Sequence, residues 1–267
     1  MAEIGFIGMG NMGYAILKGM LKWCPKEEIT FYDADSERSR KVEAETGVRA
    51  AENEKSCAEQ VRYLILAVKP QYIKSVADNV RQGLKDGQIV ISIAAGIGRD
   101  YLKAVLNKTE RIVRAMPNTP ALVGEGMTGI CYDEALFTDE EKEKIRQIFC
   151  SFGKMKIVEE RLIDAVSCVS GCSPAYVYIF IEALADGAVK YGLPRKDAYE
   201  MAAQAVLGSA KMVLETGKHP GELKDMVCSP GGTTIEGVSA LEESGFRSAV
   251  IKACDASYWK NEKLKGE

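Results

Sequence analysis

Short apolar runs alternate with amphipathic stretches over roughly the first 160 residues of the chain, and only amphipathic stretches follow. The runs at 4–7, 29–32, 63–68, 88–93 and 111–115 are rich in β-branched residues and nearly continuous in apolar character, with weaker runs at 129–132 and 156–158. Strands that read this way are buried on both faces, as in a parallel sheet covered by helices. Helical spacing fills the intervals at 11–21, 36–46, 53–60 and 70–84, and Thr138 followed by Glu141 forms a capping box that opens another helix. After residue 160 the pattern predicts helices alone, over 161–169, 173–191, 195–215, 222–227, 233–243 and 246–263. The expected architecture is α/β: a Rossmann-like domain over residues 1–160, then an all-helical domain over 161–267.

Within the helical half, residues 165–181 carry no charge, but a Gly-Cys-Ser-Pro interruption and several polar residues mark them as a buried helix and not a membrane span. Ala202, Ala203, Ala205, Gly208, Ser209 and Ala210 place small residues on more than one face of a later helix. Such a helix admits close backbone approach, either inside a core or across a subunit interface.

Composition narrows the partners. The chain has 267 residues, 46% of them hydrophobic, and a formal net charge of −3. No basic field for nucleic acid or an anionic membrane exists at that charge. Eight cysteines contain no Cys-x-x-Cys pair and are accompanied by one histidine, His219. No metal site is expected, and the thiols read as small apolar residues of a reducing compartment. The start, MAEIGFIG, runs straight into a strand and lacks the pattern of a signal peptide. A cytoplasmic location is expected.

GFIGMGNMG, residues 5–13, provides Gly8, Gly10 and Gly13 between a strand and a helix. In that setting the first glycine makes a tight turn, the second lets a dinucleotide pyrophosphate approach, and the third packs helix on strand. Asn11 and Met12 then contribute N–H groups of the helix start. Asp33 lies twenty residues beyond Gly13, where an acid takes ribose hydroxyls and favours NADH. Ser36, Arg38, Arg40 and Lys41 follow and suit a 2′-phosphate, so NADPH and NADH both remain open. Asn53, Ala67, Val68, Lys69, Pro70, Ala94, Ala95 and Gly96 complete the candidate cofactor wall, the last seven at the carboxyl ends of strands. Asn118 and Thr119 lie in a proline-fixed loop, RAMPNTPALVGEG, as nicotinamide neighbours or as part of a plain turn.

SPGGTT, residues 229–234, opens a helix with two glycines and two threonines. Backbone N–H groups there are accessible to a small anion such as a substrate carboxylate, and the Thr234 hydroxyl can bond a neighbouring heteroatom. SGCSPAY, residues 170–176, reads as a second helix start, with Ser173 as cap and Pro174 at the first position. Alcohol dehydrogenases usually need an acid or base, commonly His or Lys. Here no lysine follows Gly171 until Lys190, and His219 reads as a loop or cap residue. An iminium substrate arrives already protonated, so hydride transfer to C=N suits these residues better than transfer to C=O.

GFIGMGNMG, AVKP, SIAAG, RAMPNTPALVGEGMTG, SGCSPAYVYIFIEALADGAVKYGLPR and HPGELKDMVCSPGGTTIEG together resemble the pyrroline-5-carboxylate reductases over nearly the whole chain. The resemblance implies reduction of L-1-pyrroline-5-carboxylate to L-proline, the last step of proline biosynthesis. It further implies that Gly231, Gly232 and Thr233 bind the carboxylate, that Thr234 hydrogen-bonds the ring nitrogen, and that Ser170 belongs to the substrate set. A helical dimerisation domain, often assembled into a decamer of five dimers, comes with the same resemblance. Family members commonly use NADPH and many carry a small polar residue where this chain has Asp33, which keeps the cofactor choice open. Two other readings fit the same residues: a related imine or hydroxyacid reductase, and a nonenzymatic NAD(P)H-binding redox sensor.

Overall fold

A computed structural model describes residues 2–264 of the chain. Eight strands form one sheet in the order β3-β2-β1-β4-β5-β6-β7-β8. They are β1 (Ile4–Ile7), β2 (Ile29–Tyr32), β3 (Arg49–Ala50), β4 (Tyr63–Leu66), β5 (Ile89–Ser92), β6 (Ile112–Met116), β7 (Gly126–Cys131) and β8 (Gly153–Ile157). Ile4 pairs with Ile29 on one side and Tyr63 on the other, and Leu66 pairs with Ser92, so the central strands end level with one another. The chain reverses its order of travel across the sheet between β1 and β4, which in open α/β sheets is where a ligand crevice forms.

Alternate residues of each strand reach opposite faces. Ile4, Phe6, Tyr63 and Ile65 join Phe31, Phe149 and Phe152 in one core layer, while Ile7, Leu64 and Leu66 join Val76, Val90 and Leu102 in the other. The covering helices are α1 (Asn11–Met20), α2 (Ser36–Thr46), α3 (Glu54–Glu59), α4 (Ile73–Val80), α5 (Arg99–Leu106) and α6 (Asp139–Cys150). The capping box at the start of α6 forms as the spacing predicts. Its Glu141, only 2% exposed, also pairs with Arg111 and lies 2.6 Å from Arg62. Burial raises the Glu141 carboxyl, but hydrogen bonds from Arg111, the Thr138 backbone and Arg62 outweigh it and hold the pKa at about 2.

Three features depart from the sequence pattern. β7 is antiparallel to β6, so the sheet is mixed. The connection at 117–125 holds only one turn of 3₁₀ helix (Thr119–Val123), too short for the crossover that a parallel neighbour needs. Helix α5 falls where no element is expected, although Leu102, Val105 and Leu106 stand at helical spacing in its eight residues. Strand β3 is a two-residue edge strand.

The chain divides into two compact units, Met1–Cys172 with Ser257–Glu267, and Ser173–Ala256. The domain ending expected at 267 has its last three residues outside the described ones. Between β8 and the second unit run a 3₁₀ turn (Glu160–Leu162), α7 (Ile163–Val166) and a π-type turn (Ser167–Gly171). Then come α8 (Ser173–Lys190), α9 (Arg195–Thr216), α10 (Pro220–Val227), α11 (Thr233–Glu243) and α12 (Phe246–Leu264).

In α8 only Ala185 is buried, and in α9 only Ala198 and Ala202. The buried helix expected at 165–181 is mostly half-buried or exposed in the single chain: Ser167 and Cys168 are buried, while Tyr178 and Ile179 are open to solvent. Residues 160–190 form one helical run long and apolar enough, by length and composition, to cross a membrane. An apolar helix left uncovered by its own chain has no core to fill until something else covers it, and this holds for the small-residue helix α9 as well.

Candidate active site

The glycine-rich turn divides the three glycines into distinct roles. Gly8 has φ +98°, and a Cβ there would come 2.7 Å from the Ala67 carbonyl oxygen. At Gly13 a Cβ would overlap the Gly8 carbonyl oxygen, so helix α1 can lie this close to β1 only without a side chain. At Gly10 nothing lies within 4 Å of that position. Gly10 is also the N-cap of α1, with no side chain capping it. An open glycine at an uncapped helix start, above the point where the sheet reverses direction, fits a dinucleotide pyrophosphate by shape and by dipole.

The ribose end is built from β2 and α2. The Asp33 carboxylate accepts N–H bonds from Met9 at 2.5 Å and Asp35 at 2.9 Å, tying the glycine-rich turn to the end of β2. Arg38 donates from Nε to the Met9 carbonyl at 2.5 Å and lies over the Tyr14 ring, 4.8 Å from its centroid. Ser36 is exposed, and Asp35 caps α2 by accepting from Glu37 and Arg38. Acid and base thus stand on the same turn, both braced against Met9.

Other predicted cofactor residues divide by position. Asn11 is exposed at the first position of α1, and Met12 packs against the core. Ala67 and Val68 touch the place a Gly8 side chain would take, Lys69 is exposed, and Pro70 opens a 3₁₀ turn. Ala94 is buried, Ala95 half-buried, and Gly96 adopts φ +74°. Asn53 is the N-cap of α3, its Oδ1 accepting from the Ser56 N–H at 2.8 Å.

Asn118, 8% exposed, has both ends of its amide engaged. Its Nδ2 donates to the Ser170 carbonyl at 3.0 Å and its Oδ1 accepts from the Met127 N–H at 2.8 Å. Thr119 follows as the first residue of the 3₁₀ turn. The Ser170 hydroxyl donates to the Val166 carbonyl at 3.0 Å. Helix α8 begins at Ser173 as the spacing predicts, but it follows the π-type turn directly: Cys172 N–H bonds the Ser167 carbonyl at 2.8 Å, and the helical run continues from 160 to 190. Pro174 is accommodated by the π-type turn before it, so no open N-terminus is left there for an anion.

In the helical unit, α11 begins at Thr233 as the sequence predicts. Both glycines lie before the helix and cost it no propensity. Gly231 takes φ +68°, and a Cβ on Gly232 would overlap Ser229 Oγ. The Gly232 N–H donates to the Ser229 carbonyl at 3.0 Å, which leaves Gly231, Thr233 and Thr234 to present N–H groups at the start of α11. Gly232 is the N-cap, without a side-chain cap, and Thr234 is half-buried. His219 caps α10, its Nδ1 accepting from the Gly221 N–H at 3.0 Å.

One group escaped the sequence reading. Arg114, 3% exposed on β6, lies 3.2 Å from Asp164 and 3.8 Å from Glu160, and Glu160 is 2.6 Å from Arg99. Its only signal was an arginine inside an otherwise apolar run. The thiols nearest these cores are pushed up by burial, to about 11 at Cys24 and Cys131 and about 12 at Cys57, and stay protonated at neutral pH.

Residues 160–264 match the family described as pyrroline-5-carboxylate reductase dimerisation, and residues 3–96 match the family described as NADP oxidoreductase, coenzyme F420-dependent. The pyrroline-5-carboxylate reductase of Escherichia coli is 48% identical over 264 residues, covering 98% of each chain. The chain belongs to the pyrroline-5-carboxylate reductase family. Solved structures agree: the Coxiella burnetii reductase superposes with a TM-score of 0.91 at 33% identity, covering 98% of each chain. The Plasmodium falciparum enzyme, solved with NADP bound, gives 0.88 at 32% identity, covering 99% of this chain and 98% of its own. Membership in this reductase family makes the chain an oxidoreductase with a Rossmann-like nucleotide domain and a helical dimerisation domain. The dimerisation match falls on the half whose helices lack cover in the single chain, so a second copy is the natural occupant of those faces.

Proposed function

We infer that the protein reduces L-1-pyrroline-5-carboxylate to L-proline with NAD(P)H. The observation that carries this reading is the full-length likeness to the Escherichia coli reductase, joined to a glycine-rich turn whose open position suits a pyrophosphate. Residues 1–160 hold the cofactor and residues 161–267 hold the substrate and pair the subunits. The pyrophosphate rests on the N–H groups following Gly10, walled by Ala67–Pro70 and Ala94–Gly96. Asp33, Ser36, Arg38 and Asn53 serve the adenosine end, and Thr119 lies toward the nicotinamide. When bound, that nicotinamide supplies the hydride.

The chain's own residues bind and orient. Gly231, Thr233 and Thr234 N–H groups, with the dipole of α11, hold the substrate carboxylate, while Gly232 shapes the turn that presents them. The Thr234 hydroxyl bonds the ring nitrogen, and Ser170 completes the substrate set. A protonated C=N needs no strong acid from the protein, in keeping with His219 being spent as a helix cap. Orientation then supplies most of the rate, an effect worth up to ~7–11 kcal/mol for well-placed reactants. The enzyme works as a homodimer, assembled further into a decamer of five dimers, in the cytoplasm, with neither nucleic acid nor membrane as partner.

The test is absorbance at 340 nm with purified protein and pyrroline-5-carboxylate, NADH and NADPH in parallel. Cofactor oxidation matched by proline formation is expected. Folded, cofactor-binding protein that oxidises neither cofactor overturns the assignment and favours a redox sensor; turnover of six-membered but not five-membered cyclic imines favours a different imine reductase.

A further inference from the structure

Pro174 has no N–H, so the carbonyl four residues earlier, Ser170, cannot receive the bond that an uninterrupted α-helix would give it. That carbonyl is not left to water. The Asn118 amide reaches it from a loop 52 residues away in sequence, at 3.0 Å. The same side chain accepts from the Met127 N–H at 2.8 Å, at the start of β7. A residue whose two ends are both used this way is held in a fixed orientation by the protein itself.

We propose that Asn118 is a positioning residue: its amide stands in for the N–H that Pro174 lacks and locks the 117–125 loop to the turn that carries Ser170. Gly171 packs beside the end of β6, where a Cβ would come 2.8 Å from the terminal methyl of the Met116 side chain. The two Asn118 bonds thus connect the loop after β6, the start of β7 and the Ser170 turn. The consequence for the reaction rests on the proposed function, in which Ser170 belongs to the substrate side and Thr119 to the nicotinamide side. Loosening the lock then changes how the substrate is held without removing any group that holds it.

Three variants test this: Asn118→Asp, which keeps the acceptor for Met127 and loses the donor to Ser170; Pro174→Ala, which restores a competing backbone N–H; and the double variant. For each, KM for pyrroline-5-carboxylate, kcat, cofactor Kd by fluorescence quenching and thermal midpoint are measured together. Asn118→Asp is expected to raise KM for the substrate about five- to tenfold, the effect of one hydrogen bond, with cofactor Kd within about twofold of the original. Pro174→Ala is expected to raise KM similarly while its thermal midpoint holds or rises, because alanine suits a helix interior better than proline. The double variant should match the worse single one, since both break one joint. Multiplicative losses in the double variant, a large loss of cofactor affinity in Asn118→Asp, or a lowered midpoint with unaltered KM and kcat would each overturn the proposal. Should Asn118→Asp not fold, Pro174→Ala alone decides. Hydrogen exchange requires no turnover: faster exchange around Ser170 in Asn118→Asp keeps the lock even if the substrate assignment fails, and unchanged exchange there refutes it.

Discussion

Gly10→Ala and Gly13→Ala should separate cofactor binding from folding, although the two positions are three residues apart. At Gly10 the backbone lies at φ −62°, ψ −170°, open to any residue, and nothing lies within 4 Å of an added Cβ. Alanine there reduces unfolded-chain entropy, stabilising by about 0.4–1 kcal/mol, and is a poorer N-cap than glycine by a similar amount. Stability should therefore stay within about 1 kcal/mol of the original. The methyl group instead occupies the space a pyrophosphate needs, and at least a tenfold rise in NADPH Kd is expected, about 1.4 kcal/mol. At Gly13 the Cβ overlaps the Gly8 carbonyl oxygen, so α1 must move off β1 and off the residues packed beneath it. Overpacking of that kind costs typically 1–3 kcal/mol before any ligand is added. Cofactor fluorescence titration and thermal unfolding on the same samples distinguish the two. Undiminished NADPH binding in Gly10→Ala would refute the cradle, and equal destabilisation in both variants would show that the open space at Gly10 has been misread.

Further tests follow from named contacts. Glu141→Gln should destabilise the protein at pH 7: the folded pKa of about 2 lies below the ordinary value of 4.5, so the stabilisation is full above that value and is lost as pH falls toward 2. The shift alone would give about 3 kcal/mol, but Arg62 is 56% exposed and solvent screens it, so about 1–2 kcal/mol is expected. Denaturant midpoints for both proteins between pH 7 and 2.5 should converge, and a gap independent of pH would contradict the ion-pair origin. Arg38→Ala should weaken NADPH about tenfold more than NADH, as loss of a charge-assisted bond to a 2′-phosphate would; equal losses would mean that Arg38 acts only by bracing Met9. Thr234→Ala should keep cofactor affinity and lose turnover by roughly tenfold or more, and unchanged kcat would remove the hydroxyl from the reaction.

Much of the architecture was legible because it depends on local chemistry. Helix 36–46 and helix 233–243 have the bounds that the sequence pattern predicts, and the box at Thr138 and Glu141 forms as spaced. What escaped depends on information a local pattern does not carry. The direction of β7 follows from the short connection before it, since an apolar run reads alike in both directions. Helix α5 has only two turns, so its helical spacing of Leu102, Val105 and Leu106 rests on three residues and is easily passed over. The start of α8 at Ser173 was legible from Ser-Pro, but the π-type turn that joins it to the helix before it was not.

Burial in the second unit was the larger omission, and its cause is composition read without stoichiometry. Apolar helices imply that something covers them, and a single chain's pattern cannot say whether that cover is cis or trans. Here Tyr178, Ile179 and Met201 remain open, while the dimerisation match falls on the same segment. The glycines of SPGGTT show a related ambiguity at atomic scale. They attract notice as expensive helix residues, yet one serves a positive φ and the other makes room for Ser229. Their value to an anion is indirect: by keeping side chains out of the turn, they leave the start of α11 without a side-chain cap among the described residues, so the N–H groups that follow suit an anion.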